Sequence, residues 1–464
     1  MMCLQKFENL GNSILKDLES FMSTFEVTKL LRKSNFQKQQ GVSVTSILTS
    51  LIDSVFHNKS LSNLLNSENA NFSLKKDIVY RYLNNPSHNW ESLLLYLSEK
   101  VIRYLEQLNN SDRVTAFILD DTTYYRDRSK SVELLSKCYD HAKRRYFKGF
   151  AFLNIGWSDG VSYVPVYGKL VASNSDANLL CKSTQKEDYR TTASRRRYDA
   201  RQPKTILATE ALEELKTHHP STNHVLYDSW FSSPHFILSL KKIGYQSVCR
   251  LKNTPKQKFL FEGKQKTISE IFNKSKNKKN TDSEYLFSTT VKVTHKEIKD
   301  VACDAKLVYV KNNKNPSEWI CLLSTDIDLS EKEIIQLYGK RWQIETFFKS
   351  CKSLLRLTND FQGQSYDALT AHSTLVLIRY IFLAYKQRLE KDDRSFGALF
   401  RATCDGLADI SFKKAIKLLT ESFVLKFRKY FVLSDSEFNL LFDDYLDSIP
   451  LFYKRMLGIK GCET

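Results

Sequence analysis

Two short apolar runs that end in aspartate constrain the fold of this chain most. Residues 114–119 (Val-Thr-Ala-Phe-Ile-Leu) precede Asp120 and Asp121, and residues 224–227 (His-Val-Leu-Tyr) precede Asp228. Short apolar runs of this kind are typical of buried strands. Open α/β sheets commonly place active sites just beyond the carboxyl ends of their strands. We therefore expect the aspartates to lie together at one edge of a sheet.

The segments around these runs predict an α/β layer with a mixed sheet. A strand, a hairpin, a helix, a strand, a helix and a strand follow one another along the chain, which is the order of such a layer. These elements are predicted at 114–119, 149–171, 205–216, 224–227, 234–243 and 246–251.

The remaining segments predict how the chain is divided. Residues 253–328 are polar and strand-like and indicate a β-rich insertion before the next helix. We therefore predict a helical N-terminal DNA-binding domain (1–110), a catalytic α/β domain (111–375) and a helical C-terminal region (376–464). A basic helical scaffold without DNA contacts is the alternative for the first of these, since no helix-turn-helix signature is convincing.

The net charge of +18 over 464 residues indicates a polyanionic partner, either nucleic acid or an acidic membrane surface. A basic protein without such a partner is the alternative. Residues 182–204, which include Arg195, Arg196 and Arg197, lack apolar periodicity and predict a mobile basic loop that contacts phosphate or is simply solvated. No basic amphipathic anchor stands out, which disfavours the membrane surface.

Signals for export and for membrane insertion are weak in this sequence. Residues 1–19 mix polar and apolar side chains, unlike a signal peptide, and the apolar run 371–385 is interrupted by Arg379 and is too short to span a bilayer. The nine cysteines show neither CxxC pairs nor Cys/His ligand spacing, so we expect reduced, buried thiols and no zinc site. A soluble intracellular protein is the expectation.

A predicted helix from Ser330 to about residue 357 carries an unusual polar stripe. Tyr338, Arg341, Glu345 and Lys352 are spaced 3, 4 and 7 residues apart, so at roughly 100° per residue they share one face. Such a face suits a metal ion and phosphate groups, because a carboxylate binds cations while arginine and lysine bind phosphate oxygens. A solvated face with an Arg341–Glu345 ion pair is the alternative.

The two strand-end aspartates and the helical glutamate together suggest a metal site. Two aspartates held rigidly at a sheet edge, with a glutamate from a facing helix, can bind two Mg²⁺ ions, which activate an attacking oxygen and stabilise a leaving 3′ oxygen. Mg²⁺ needs only a few carboxylates in addition to substrate phosphates.

Several motifs resemble one known family. The spacing Tyr338-x2-Arg341-x3-Glu345-x6-Lys352 is similar to the helix signature of the insertion sequence 4 family of DDE transposases. Residues 119–122 (Leu-Asp-Asp-Thr) and 227–233 (Tyr-Asp-Ser-Trp-Phe-Ser-Ser) resemble the regions that hold the family's first two aspartates. The resemblance covers about residues 110–375, and the four-residue signature is its most specific part.

The resemblance implies a fold and an activity. The fold would be an RNase H-like mixed sheet with a β-rich insertion. The activity would be that of a bacterial cut-and-paste DNA transposase, cytoplasmic and associated with the nucleoid, which cleaves at the transposon ends and transfers the 3′ hydroxyl to target DNA. The implied partners are the terminal inverted repeats, target DNA and a second copy of the chain in a synaptic homodimer, with two Mg²⁺ ions per site, for which Mn²⁺ can substitute.

The resemblance also implies roles for individual residues. Asp228, Glu345 and either Asp120 or Asp121 would be the metal ligands, while Tyr338, Arg341 and Lys352 would contact phosphates. Asp120 is the favoured first ligand because it directly follows Leu119, although both aspartates fit an Asp-x-Thr pattern. In some relatives a tryptophan of the insertion stacks on a flipped base. Trp319 is the candidate for that role here, with a core aromatic as the alternative.

Two other functions remain compatible with the sequence. One is a different RNase H-like nuclease, such as a junction resolvase. The other is a catalytically inactive or repurposed transposase that only binds DNA.

Overall fold

The computed structural model covers most of the chain. It describes residues 13–57, 59–66, 74–108, 113–274, 284–312, 315, 318–359, 361–389, 394–404, 423–424, 427, 430 and 434–448.

The described residues contain one large mixed sheet. Its order is β2-β3-β1-β5-β6-β11-β10-β9-β7-β8, and β4 pairs with residues 151–158 of β3 on the side away from β1. The strands are β1 Ala116–Tyr125, β2 Ser136–Asp140, β3 Arg145–Ser158, β4 Tyr163–Val171, β5 His224–Tyr227, β6 Gln246–Arg250, β7 Phe259–Phe261, β8 Lys264–Lys266, β9 Phe287–His295, β10 Ile298–Lys311 and β11 Trp319–Ser324.

Helices precede, cover and follow this sheet. They are α1 Ser13–Thr24, α2 Val27–Lys33, α3 Val44–Asp53, α4 Leu61–Leu65, α5 Lys76–Leu83, α6 Trp90–Gln107, α7 Thr192–Ala200, α8 Lys204–His218, α9 Pro234–Ile243, α10 Ile268–Lys274, α11 Glu331–Gly339, α12 Trp342–Ser353, α13 Tyr366–Leu389 and α14 Asp435–Ser448.

The order β4-β3-β1-β5-β6 is consistent with an RNase H-like core. β3 pairs antiparallel with β1 and β4, whereas β1, β5 and β6 run parallel to one another. Residues 116–119 of β1 are completely buried, as expected for a strand covered on both faces. The predicted α/β fold class is therefore confirmed.

The predicted β-rich insertion extends the mixed sheet beyond β6. β11 pairs antiparallel with β6, and β10, β9, β7 and β8 follow outward. The insertion thus continues the hydrogen-bonded layer beyond the parallel strands. The division of the chain into three domains stays a prediction. Its boundary at 376 falls inside α13, and much of the segment after 389 lies outside the described residues.

By length and composition alone, the helix α13 could cross a membrane. The sequence-based expectation considered only its apolar run 371–385, which is too short to do so. However, 94% of its most apolar window is buried inside the protein. It packs on β4 and α6. We therefore assign α13 as the central core helix.

Candidate active site

Asp120 lies in the middle of β1, at the point where the parallel partner strand stops. The expectation that the strand ends before Asp120 is wrong, because β1 continues to Tyr125 in register with β3. β5 accompanies β1 only as far as the pair Leu119–Tyr227. The end of β5 therefore opens the sheet beside Asp120, and Asp228 follows there.

Asp228 is held by the turn that follows β5. The backbone N–H of Trp230 donates to Oδ1 of Asp228 at 2.9 Å. Burial raises the pKa of Asp228 despite this hydrogen bond. Burial, followed by the negative charge of Asp228, also raises the pKa of Asp120 to about 7. Two carboxylates therefore share a partly desolvated site, in which the nearby charge of Arg341 does not outweigh burial.

The predicted single helix over 330–357 is two helices. The prediction that Ser330 is the N-cap is confirmed, because it forms a capping box with Glu333. The first helix ends at Gly339, a residue type with low helix propensity, and α12 begins at Trp342. Arg341 lies at this junction.

Arg341 connects two of the predicted metal ligands. Its Nη1 lies 3.2 Å from Oδ2 of Asp120, and its Nη2 donates to Oε1 of Glu345 in the first turn of α12. α12 packs on β1, which brings Glu345 to the strand that carries Asp120. The structure therefore brings Asp120, Arg341 and Glu345 into one cluster, with Asp228 as the charged neighbour of Asp120.

Asp121 contacts a different partner from Asp120. Successive side chains of a strand point to opposite faces, so Asp121 and Asp120 diverge. Oδ1 of Asp121 accepts from Nζ of Lys204 at 2.6 Å. Asp120 is the member of the pair that faces Arg341.

The remaining residues of the stripe lie around this cluster. Nζ of Lys352 donates to Oγ1 of Thr122 at 2.7 Å, two residues beyond Asp120, and burial lowers the pKa of Lys352. Tyr338 is half-buried, and burial raises its pKa to about 12. The guanidinium carbon of Arg341 lies 5.7 Å from the centroid of the Tyr338 ring. The alternative of a solvated stripe therefore does not describe Tyr338 or Lys352.

The donor set fits a hard divalent cation, although an arginine stands among the carboxylates. Mg²⁺ and Mn²⁺ prefer carboxylate oxygens, and Asp120, Asp228 and Glu345 supply them. Within the described ranges, no group of three His, Cys, Asp or Glu side chains is arranged to hold a metal ion. Arg341 lies between Asp120 and Glu345 and contacts both. The guanidinium neutralises carboxylates that a cation would otherwise neutralise.

The raised pKa of Asp120 predicts a pH-dependent affinity for metal. Only the ionised carboxylate is a good cation ligand, so we expect the affinity for Mn²⁺ to fall below pH 7 by up to about tenfold per pH unit, and to level off above it. Mn²⁺ titrations followed by electron paramagnetic resonance between pH 5.5 and 8.5 would measure this. Asp120→Asn should flatten the profile, and a wild-type affinity that is constant across this range would contradict the assignment.

Two of the three arginines predicted to contact DNA are buried. The prediction of a loop over 182–204 is wrong for residues 192–200, which form α7. Arg197 binds Glu133 and Asp367, while Arg196 binds Asp367 and donates to the backbone carbonyl of His88 at 2.7 Å.

These buried pairs explain why the basic run forms an ordered helix rather than a loop. Arg195 differs from its neighbours, because its side chain is 68% exposed and lies 3.9 Å from Asp199. Of the three arginines, Arg195 alone is exposed.

Trp319 lies at the start of β11 within an aromatic cluster. Its ring centroid is 4.9 Å from that of Phe272 and 5.1 Å from that of Tyr309. The ring is half-buried. This packing corresponds to the alternative interpretation of a core aromatic in the insertion.

Sequence reasoning missed two exposed tryptophans beside the cluster. Trp230 is 49% exposed and follows Asp228 by two residues, and Trp342 is 64% exposed and directly follows Arg341. It placed Lys204 in the basic run 182–204 but did not predict its contact with Asp121. Proximity in sequence to the predicted acids was the one available signal for the tryptophans, while nothing local indicated that Lys204 pairs with Asp121.

No disulfide links the cysteines in the described part of the chain. Cys138 and Cys181 are half-buried, and the others in that part are buried: Cys249, Cys303, Cys321, Cys351 and Cys404.

Many metal-dependent nucleases and transposases have an RNase H-like sheet. In these enzymes, two aspartates lie at neighbouring parallel strands of that sheet, and a glutamate lies on a covering helix. Two family models match this chain: DDE superfamily endonuclease over residues 46–265 and Transposase DDE domain over residues 183–382. The first region includes Asp120 and Asp228, and the second includes Asp228 and Glu345. A search of curated proteins returned no match. The two family matches support a DDE transposase, a nuclease-type enzyme that acts on DNA.

Proposed function

We propose that this chain is a cut-and-paste DNA transposase of the insertion sequence 4 type. It cleaves DNA at the transposon ends and joins the resulting 3′ hydroxyl to target DNA. The observation that carries the proposal is that Arg341 bridges Asp120 and Glu345 at the open edge between β1 and β5, where Asp228 is a charged neighbour of Asp120. The two DDE family matches over 46–382 support it.

The three carboxylates would hold one or two divalent ions, Mg²⁺ or Mn²⁺. When bound, such ions supply an activated attacking oxygen and stabilise the charge on the leaving 3′ oxygen. The protein fixes the ligands: β1 and the turn after β5 hold the two aspartates, and the first turn of α12 holds Glu345. A rigid support of this kind keeps the ligands in place before DNA arrives.

Arg341 and Lys352 are the proposed phosphate ligands. The planar guanidinium of Arg341 can exchange its carboxylate partners for phosphate oxygens, since both present a bidentate acceptor. The ammonium of Lys352 donates a hydrogen bond to Thr122, which lies on β1 two residues beyond Asp120. The ammonium is therefore positioned along the strand that carries Asp120. Tyr338 contributes a hydroxyl donor beside Arg341. Their combined task is to orient the end phosphates towards the carboxylates.

The proposed partners follow from charge and reaction. A net charge of +18 favours duplex DNA, and the helices of residues 1–110 and the exposed Arg195 are proposed to bind it. Joining two transposon ends in one reaction requires two active sites, so we propose a homodimer in a synaptic complex on the terminal inverted repeats. A nucleoid-associated, cytoplasmic location follows from this substrate.

Strand transfer distinguishes this proposal from a simple RNase H-like nuclease. Precleaved end DNA from the element, incubated with protein, Mg²⁺ and a supercoiled target plasmid, should give joined products with one or two ends inserted. The same duplex terminated by a 3′-dideoxynucleotide should give none, because the attacking hydroxyl is missing. Cleavage or nicking without any joined product would contradict the transposase assignment and favour a resolvase-like nuclease.

A further inference from the structure

An exposed indole lies directly beside the candidate active site. The side chain of Trp230 is 49% exposed, while its backbone N–H holds the carboxylate of Asp228. Its ring meets Phe231 edge-on, with centroids 4.6 Å apart and planes at 72°. Phe231 is fully buried, so it anchors the indole to the core. The position of the ring is therefore linked to that of a proposed metal ligand.

The ammonium of a lysine lies over one face of this indole. Nζ of Lys204, the first residue of α8, lies 3.8 Å from the centroid of the Trp230 ring and 2.6 Å from Oδ1 of Asp121. Asp121 is fixed on β1 next to Asp120. The ammonium is thus held between a strand carboxylate and an aromatic face, which limits the motion of both side chains.

Packing alone does not account for this arrangement. Large aromatic side chains that serve only the core are largely buried, whereas half of Trp230 remains accessible next to Asp228. An exposed, fixed aromatic ring beside a cation is the arrangement with which proteins stack the bases of single-stranded or unpaired nucleotides. A phosphodiester at the carboxylates would bring the neighbouring nucleotides of the same strand to this ring.

We propose that Trp230 stacks on a nucleobase of the DNA strand held at Asp120, Asp228 and Glu345, with Lys204 and Asp121 fixing the indole. The occupant is an unpaired or frayed base next to the reacting phosphate. Trp230 is thus a positioning residue, which places the strand without touching the reacting atoms. This inference rests on the proposed transposase function.

Fluorescence of 2-aminopurine provides a direct test, because stacking on an indole quenches it. The probe is a precleaved duplex from the element's own end, with 2-aminopurine placed in turn at each of the last few nucleotides of either strand. With wild-type protein and Ca²⁺, which suppresses turnover, we expect strong quenching at one or two positions. Trp230→Ala should abolish that quenching and weaken binding of the same duplex about tenfold, the loss expected for one base–aromatic stack. Trp230→Phe should restore part of both.

Tyr146 is the matched control. It is 63% exposed, and Nζ of Lys137 lies 4.5 Å from its ring centroid, but it belongs to the β2–β3 hairpin. Tyr146→Ala should leave the quenching pattern intact. If the Trp230→Ala variant still quenches at every position that the wild type quenches, the stacking inference is overturned. If the wild type also cleaves end DNA, the transposase proposal stands. A wild type that neither binds nor cleaves end DNA would overturn both.

Discussion

Asp120→Asn is expected to reduce DNA cleavage by about 10³-fold or more, whereas Asp121→Asn should retain most of the activity. Asp120 faces Arg341, and burial and the charge of Asp228 raise its pKa, as expected for a carboxylate at a partly desolvated site shared with a second acid. Replacing it with a neutral amide removes one anionic ligand. Loss of several kcal/mol of transition-state stabilisation corresponds to that reduction in rate.

Asp121→Asn is the matched control for that substitution. Asp121 forms a partly buried ion pair with Lys204 rather than facing Arg341, and an amide oxygen can still accept a hydrogen bond from the ammonium, so a change in cleavage of no more than about fivefold is expected. Cleavage rates with end DNA, together with binding of the same DNA and thermal unfolding of both variants, separate chemistry from folding. An inactive Asp121→Asn protein beside an active Asp120→Asn protein would reverse the assignment of the first aspartate.

Glu133→Ala is expected to lower the free energy of unfolding by about 3–5 kcal/mol, because it breaks a buried charge network. Glu133 accepts hydrogen bonds from Nε and Nη2 of Arg197 at 2.7 and 2.9 Å, and from the backbone N–H groups of Thr184 and Tyr366 at 2.8 Å each. Arg197 is only 1% exposed. Removing the carboxylate leaves a buried guanidinium with Asp367 as its remaining acidic partner.

The same network predicts sensitivity to acid. Burial alone would raise the pKa of Glu133, but hydrogen bonds from Arg197, Tyr366 and Thr184 outweigh it and lower this pKa to about 2. The stabilisation is therefore complete above pH 4.5 and is lost as the pH falls towards 2.

Urea unfolding of the wild type, Glu133→Ala and a surface control, repeated at neutral and acid pH, would measure the loss of unfolding free energy and its dependence on pH. Asp176→Ala removes an ion pair with Arg201 in which Asp176 is 86% exposed, so its unfolding midpoint should match that of the wild type. A Glu133→Ala protein that unfolds at the wild-type urea concentration would contradict the structural role of the network.

The sequence predicted those parts of the fold and site that depend on local patterns. Apolar runs followed by aspartate identified β1 and β5, because buried strands need apolar side chains regardless of their partners. The helical spacing of Arg341, Glu345 and Lys352 indicated one face, and the structure places all three near β1. The parallel pairing of β1 and β5 then brings Asp228 beside Asp120, although only β5 ends at that point.

Contacts between distant residues explain what the sequence did not predict. The basic segment forms α7 because Arg197 pairs with Glu133 and Asp367, which are 64 and 170 residues away, and no local pattern encodes such partners. The extension of β1 past Asp120 depends on pairing with β3, which continues after β5 has ended. The exposure of Trp230 likewise depends on tertiary packing, since local sequence gives no measure of it.

The most direct test of the central claim is a cleavage assay with the element's end DNA. Wild-type protein and the Glu345→Gln variant would be compared with Mg²⁺, with Mn²⁺ and with neither, and binding of the same DNA would be measured in parallel. The proposal predicts metal-dependent breaks at the transposon ends for the wild type, and none for Glu345→Gln, which should still bind the DNA. Binding without breaks in both proteins would contradict the claim and favour a repurposed DNA-binding protein, and cleavage retained by Glu345→Gln would remove Glu345 from the active site.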